Sequence, residues 1–298
     1  SWRLFIHKRG TWILIDFVKK SIALAFPFVT VTFTFVPEAF IRKYELITKE
    51  VLGQYKWFAH FDAQDVNVII LRLMYFLLVW VVTLFLYLAF LKFRRSIIIK
   101  GQNYSIIVEY GDILKTRECK RVINFDECFI TQVGDATPDI NPGSICGQYL
   151  KLHSDLDVQQ LIASAQIIPA QSKSKYLSKT RYDSGTIVPN DDDLLMAFAK
   201  LDEKGKGRFF SRDEYLECLN LLWKELENNY SEKDVCVPVL GAGTTAIDGG
   251  AGASISQQDL VDMMIWSYRL SSHKIKNPHK LRIVCKKSSG FSINNIGK

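Results

Sequence analysis

From Leu73 to Leu91 the chain reads LMYFLLVWVVTLFLYLAFL, an apolar run with no charge. A helix needs roughly 20 such residues to cross a bilayer. Arg72 stands before the run, and Lys92, Arg94 and Arg95 follow it. A core helix of a soluble protein is the competing reading, but such helices are rarely apolar on every face and bracketed by basic clusters. A shorter apolar stretch, Ser21 to Val36, lies upstream. It extends back to Trp12 if Asp16, Lys19 and Lys20 sit near the headgroups. Pro27 predicts a kink there, which neighbouring membrane helices tolerate. A cleaved signal peptide is the alternative, and it fits poorly, because Pro37 and Glu38 follow Val36 in place of a small-residue cleavage site. The pattern therefore predicts two spans.

After Ser96 the pattern changes to short β-branched runs: IIIK at 97–100, YSIIVEY at 104–110, RVINF at 121–125, VCVPVL at 235–240 and LRIVCK at 281–286. Two amphipathic helices are predicted between the later ones. The first starts at Ser211, an N-cap with Glu214 three residues on, and turns Leu216, Leu219, Leu222, Trp223 and Leu226 inward. A second is capped at Ser256, with Leu260, Met263, Met264 and Ser267 on its inner face. Alternating strands and helices argue an α/β sandwich around a mixed sheet. The small, basic stretch Gln171 to Thr180 reads as an exposed loop. Residues 1–95 are thus expected to form a two-span membrane module with a short loop outside, and residues 96–298 a cytosolic nucleotide-binding domain.

Charge sharpens this organisation. The net charge is +7. Arg3, Lys8, Arg9, Lys19 and Lys20 precede the first span, while Lys92, Arg94, Arg95 and Lys100 follow the second. The connecting loop, Pro37 to Asn67, is mixed in sign. Both chain ends are therefore expected on the cytoplasmic side of the cell inner membrane. Much of the excess charge serves topology and anionic lipid rather than nucleic acid. Trp57, Phe58 and Phe61 suit an interfacial re-entry or a small packed loop. Six cysteines occur, without a C-x-x-C pair. They sit in apolar stretches, which fits a reducing cytosol and argues against a zinc site or a disulfide framework. His153, His273 and His279 are scattered, so no metal site is expected. The segment Leu201 to Glu214 has lysines where a calcium loop needs oxygen ligands and is read as a turn.

Three loops carry candidate chemistry. Gly111-Asp112-Ile113 follows the strand at 104–110. Asn141-Pro142-Gly143-Ser144-Ile145-Cys146-Gly147 follows the strand at 121–125. Leu240-Gly241-Ala242-Gly243-Thr244-Thr245 ends the strand at 235–240, with Asp248-Gly249-Gly250 behind it. Small residues let backbone N–H groups approach an anion, so two such loops at strand ends make a diphosphate cradle. A lone G-A-G is more often a turn. It is not the dinucleotide fingerprint, which needs a third glycine and a following acidic residue, and no P-loop lysine motif is present.

The order strand-GDI, strand-INFDE, NPGSICG, GTIV, VPVLGAGTTAIDGG resembles a macrodomain, the fold that binds ADP-ribose, across about Ser105 to Cys285. An insertion interrupts it around Leu156 to Arg181. The resemblance implies that Asp112 accepts the adenine amino group, with Ile113 beside it. It implies that Gly143, Ser144, Ile145 and Cys146, with Pro142, wrap the proximal phosphate. Gly241, Ala242, Gly243 and Thr244, flanked by Leu240 and Thr245, would hold the distal phosphate and ribose. Macrodomain hydrolases carry an Asn-Ala-Ala-Asn signature where this chain has Asn124-Phe125-Asp126-Glu127. Glu127 replaces the second asparagine; it would accept from ribose hydroxyls but repel phosphate. These departures favour binding over hydrolysis.

Two membrane segments followed by a divergent macrodomain resemble the transmembrane macrodomain effectors of type II Thoeris anti-phage systems. The resemblance implies a ligand derived from ADP-ribose, histidine-ADP-ribose in this type, made from NAD by a partner TIR-domain enzyme. It also implies a homo-oligomer that compromises the membrane in abortive infection, with no catalytic residue of its own. The rival readings are a membrane-anchored ADP-ribosyl hydrolase using Glu127 or Asp126, a lipid-linked phosphoesterase, and a nucleotide-binding scaffold.

Overall fold

A computed structural model of the chain describes residues 2–54, 62–208, 210–243 and 255–296. The chain divides into two compact units, Ser1–Arg94 and Arg95–Lys298.

The first unit holds α1 (Trp2–Phe35), two short helices α2 (Glu38–Ile41) and α3 (Lys49–Gly53), and α4 (Ala63–Phe93). Within them, Phe17–Phe35 and Ala63–Phe93 are long and apolar enough to cross a membrane. Little of either is buried, so their apolar side chains face outward, unlike those of a soluble core helix. Pro27 lies inside α1, which continues through it. α1 and α4 pack as antiparallel partners: Phe17 stacks on Tyr87 at 5.3 Å, and Thr32 shares a 2.8 Å hydrogen bond with Tyr75. Between these pairs the indole of Trp80 donates to the Ser21 hydroxyl at 3.0 Å. Asn67 ties down the connecting segment. Its amide donates to the Ile47 and Ala63 carbonyls and its oxygen accepts from the Leu46 and Ile47 N–H groups. Trp57, Phe58 and Phe61 lie outside the described residues.

The second unit follows with β1 (Ser96–Lys100), β2 (Ser105–Tyr110), β3 (Cys119–Asp126), α5 (Ile145–Leu152), α6 (Val158–Ser164), β4 (Ile187–Asn190), β5 (Asp193–Ala199), α7 (Arg212–Asn229), β6 (Asp234–Pro238), α8 (Gln257–Leu270) and β7 (Leu281–Cys285). The seven strands form one mixed sheet in the order β1-β2-β7-β6-β3-β5-β4. The five inner strands are mutually parallel, and β1 and β4 close the edges antiparallel. Helices cover both faces. Met196, Phe198 and Val237 meet Leu222 and Trp223 of α7 and Met264 of α8. Ile123, Phe125 and Leu195 meet Tyr149 of α5 and Ile162 of α6 on the other face. The alternation along β3 and β5 sends successive side chains to opposite cores.

The capping signals act as the sequence predicts. Ser211 and Glu214 form a reciprocal capping box on α7, and the Ser256 hydroxyl accepts from Asp259 N–H on α8. At the start of the unit, Arg95 offers its carbonyl to Tyr110 N–H at 3.0 Å, so the chain enters the sheet beside the last residue of β2. Four expectations need correction. Leu216 is exposed on α7, whose inner face takes Tyr215 and Cys218 with Leu219, Leu222, Trp223 and Leu226. The run DLLMAFA, not read as a strand, is β5, buried along almost its whole length. Ile145 and Cys146 are the first residues of α5, not loop. The stretch Gln171 to Thr180 is not simply exposed, since Ser174 is buried against Glu127.

Candidate functional site

All five parallel strands end on the same side of the sheet, and a cavity of about 400 Å³ opens there. Ligands of open α/β sheets settle at such carboxyl ends, where loops diverge and backbone donors face outward. The GDI, NPGSI and GAG loops each contribute to its wall.

At the GDI loop, Gly111 donates its N–H to the Cys285 carbonyl at 3.0 Å, joining the ends of β2 and β7. Ile113 and Val284 form the apolar floor beside it. Asp112 sits between two lining residues, half-exposed. Its carboxylate accepts from Leu114 N–H at 3.1 Å and stands 3.8 Å from the Lys115 ammonium. Beneath the floor lie two thiols on neighbouring strands. Cys236 donates to Cys119 at 2.9 Å, which lowers the pKa of the Cys119 thiol and raises that of Cys236.

The NPGSI loop is held by hydrogen bonds among its own residues. The Asn141 side chain accepts from Gly143 N–H at 2.7 Å, and the Asn141 carbonyl accepts from Ser144 N–H at 3.0 Å and Ser144 Oγ at 2.7 Å. Ser144 Oγ then caps α5 by accepting from Gly147 N–H at 2.9 Å. A Cβ on Gly147 would meet the Asn141 carbonyl oxygen at 2.2 Å, so only glycine lets the helix pass under the loop. The first-turn N–H groups of Ile145 and Cys146 have no intrahelical acceptor and are the donors a bound anion can take.

At the third loop, Gly241 has φ +83°, a conformation natural to glycine. Gly243 has nothing within 4 Å of a built Cβ and faces open space. Leu240, just before the turn, is buried, and its carbonyl accepts from the Tyr215 hydroxyl at 3.1 Å.

Of the residues singled out from the sequence, Ile113, Asn124, Gly143, Ser144, Ile145, Gly241, Ala242 and Gly243 line this one cavity. Asn124 Oδ1 is buried there with no hydrogen-bond partner. An orphaned acceptor costs free energy unless a donor arrives, so this atom is poised for a ligand hydroxyl or amino group. Thr244 and Thr245 lie outside the described residues, as do Asp248 to Gly250.

Other expected residues sit elsewhere. Glu127 is buried away from the cavity lining. Its carboxylate accepts from Ser174 Oγ at 2.6 Å and Leu201 N–H at 3.2 Å, with the Arg181 guanidinium at 3.8 Å. It therefore anchors the Gln171–Thr180 segment and is not presented to a ribose. Cys146 turns its thiol into the core formed with α6, where burial raises its pKa, so only its backbone faces an anion. Among the described residues, Asp112, Pro142 and Leu240 do not line the cavity, although each neighbours a residue that does. Asp126 is buried too; it accepts from Cys128 and Ile130 N–H, and desolvation lifts its pKa to about 6.

The cavity also gathers residues not singled out from the sequence: Phe198 from β5, Pro238 at the end of β6, Val239 just after it, Gln257 from α8 and Lys286 beyond β7. Position was the available signal, since Lys286 follows its strand as Asp112 follows β2.

A family model for the macro domain of the Thoeris protein ThsA matches residues 106–286. The Thoeris protein ThsA of Bacillus amyloliquefaciens (strain Y2) is 29% identical over 250 residues, covering 80% of each chain. Among solved structures, an Oceanobacillus iheyensis macrodomain with ADP aligns at 8% identity and a TM-score of 0.35, over 65% of this chain and 89% of that one. The macrodomain of Thermus aquaticus DarG aligns at 12% identity and a TM-score of 0.33, over 61% and 98%.

Proposed function

Because the chain belongs to the Thoeris ThsA macro-domain family, we propose that it senses an ADP-ribose-derived signal in the cavity at the strand ends and responds through its membrane helices. The observation that carries this reading is the cavity itself. The start of α5 offers first-turn N–H groups, the Gly241–Gly243 turn brings bare backbone, and the orphaned Asn124 oxygen stands on β3, the strand paired with β6, in the wall of the same cavity. A nucleoside diphosphate carrying a second ribose has the matching groups: an adenine donor for Asp112, a diphosphate for the backbone, and hydroxyls for Asn124.

On this reading the signal is histidine-ADP-ribose, made from NAD by a partner TIR-domain enzyme. Residues 96–298 lie in the cytosol, and residues 1–95 cross the inner membrane twice with both chain ends inside. Ligand binding promotes assembly of several copies, and the assembled helices breach the membrane and abort infection. A ligand shifts such an equilibrium only by binding the assembled form more tightly than the dispersed one. Sensing is preferred to hydrolysis because the carboxylates a hydrolase would use, Asp126 and Glu127, are buried and engaged with backbone N–H, Ser174 and Arg181.

The test is Gly243→Glu. The space around Gly243 accepts a side chain, so the fold is preserved while a carboxylate enters the cavity. Titration with histidine-ADP-ribose and with ADP-ribose should show binding to the parent protein and its loss in the variant. Cells carrying the variant with the signal-producing enzyme should keep intact membranes. Persistent signal-dependent damage would place the ligand elsewhere. Release of free ADP-ribose from a conjugate by the purified protein would favour the hydrolase.

A further inference from the structure

We propose that Lys286 selects the charge state of the ligand, admitting adenosine derivatives that carry phosphate and discriminating against neutral nucleosides. This rests on the cavity reading above and adds to it a residue and a criterion.

Among the described residues that line the cavity, Lys286 is the one with a formal charge. The rest of the wall is backbone, amide, hydroxyl and apolar carbon. Backbone N–H groups orient an anion but bring no net charge to offset its desolvation, so a wall without a cation holds a diphosphate at a disadvantage. A lysine ammonium is the compact point charge suited to a phosphoryl oxygen.

The surroundings hold this residue in place while leaving its ammonium available. The Lys286 carbonyl accepts from Gln257 Nε2 at 3.0 Å, and Gln257 Oε1 accepts from Ser288 Oγ at 2.8 Å. Gln257 is the first residue of α8, so the helix fixes the backbone from which the side chain springs. On the other side, Gly111 N–H bonds the carbonyl of Cys285, the preceding residue. The nearby acids are engaged elsewhere. Glu109 pairs with Arg282 at 2.7 Å, and Asp112 bonds Leu114 N–H with Lys115 at 3.8 Å. Among the described residues no carboxylate pairs with Lys286. The adjacent Lys287 instead places its ammonium over the Tyr110 ring at 5.7 Å. Lys286 is exposed, so replacing it leaves the core intact.

The experiment compares the full-length protein in detergent with Lys286→Gln and Lys286→Arg, each titrated with ADP-ribose and with adenosine. Gln should weaken ADP-ribose binding about ten- to a hundredfold, the usual worth of a charged hydrogen bond. Arg should restore most of it, and adenosine binding should not change. Raising salt should weaken ADP-ribose binding in the parent more than in the Gln variant. Equal ADP-ribose affinity in parent and Gln variant would overturn the role of Lys286 and leave the cavity assignment standing. Equal loss of ADP-ribose and adenosine would also overturn it, pointing to shape rather than charge. Absence of ADP-ribose binding in the parent would remove the cavity assignment and this proposal together.

Discussion

The hydroxyl of Tyr215, buried in α7, donates to the carbonyl of Leu240, the residue before the Gly241 turn. One core side chain thus holds the root of a loop that lines the cavity. Tyr215→Phe would leave a buried carbonyl without its donor, at about 1–3 kcal/mol. Chemical denaturation should show a lower midpoint at unchanged slope. Affinity for ADP-ribose should fall as well, because the loop loses its anchor. Lost stability with full affinity would mean that the turn holds itself.

Asp112→Ala should weaken binding of an adenine-containing ligand by roughly 1.5–3 kcal/mol, or ten- to a hundredfold. The same carboxylate caps the turn at Leu114, so Asp112→Asn is the informative companion: its oxygen can still accept from both partners. Calorimetry with intact fold and unchanged affinity in the Ala variant would remove Asp112 from the site.

Gly147→Ala should be far more damaging than Gly143→Ala. A methyl at Gly147 collides with the Asn141 backbone at 2.2 Å, whereas one at Gly143 meets only the Asn141 side-chain oxygen at 3.2 Å. Overpacking of this kind costs about 1–3 kcal/mol. Thermal melts of the two variants side by side check the order.

Stability should respond to pH in two windows of opposite sign. Burial raises Asp126 from 3.8 to about 6, so the folded state holds its proton longer than the unfolded chain, and this group lowers stability as pH rises from about 4 to 6. Asp126→Asn should flatten that decline. Glu214 is depressed by hydrogen bonding to Arg208, so its contribution is present above its unfolded pKa of 4.5 and is lost as the solution is acidified below it. Glu214→Gln should be less stable at neutral pH and less sensitive to acid. Denaturation midpoints measured between pH 3 and 8 in both variants separate the two effects.

Removing residues 1–94 should abolish carbonate-resistant membrane association, since both long apolar helices lie there. Recovery of the full chain in the cytosolic fraction would contradict the two-span reading.

Much of this architecture was written in local pattern. Ser211 with Glu214, and Ser256 before Leu260, announce helices because capping is a short-range matter. β2, β3, β6 and β7 stand out because β-branched runs stop at small-residue loops. β5 escaped because Asp193–Ala199 is rich in leucine, methionine and alanine and is buried on both faces, which erases alternation. The loops of the cavity were legible as glycine clusters at strand ends, while Lys286, after β7, and Gln257, at the start of α8, belong to it through contacts distant in sequence. Glu127 misled for the same reason: nothing near it in the chain discloses Ser174 and Arg181, which claim its carboxylate.

The hydrogen bond from Tyr110 to Arg95 shortens a path that the chain makes long. Arg95 opens the second unit directly after the apolar helix α4, and Tyr110 immediately precedes Gly111 in the cavity wall. Measured along the chain, the glycine turn at Gly241 is remote from the membrane helices. Measured across strands, Tyr110, the neighbour of the cavity residue Gly111, is one hydrogen bond from Arg95, where the second unit begins. The antiparallel pairing of β1 with β2 folds fifteen residues of chain back on themselves, so the first residue of the unit and the first residue of the cavity wall are neighbours in the sheet rather than its two extremes.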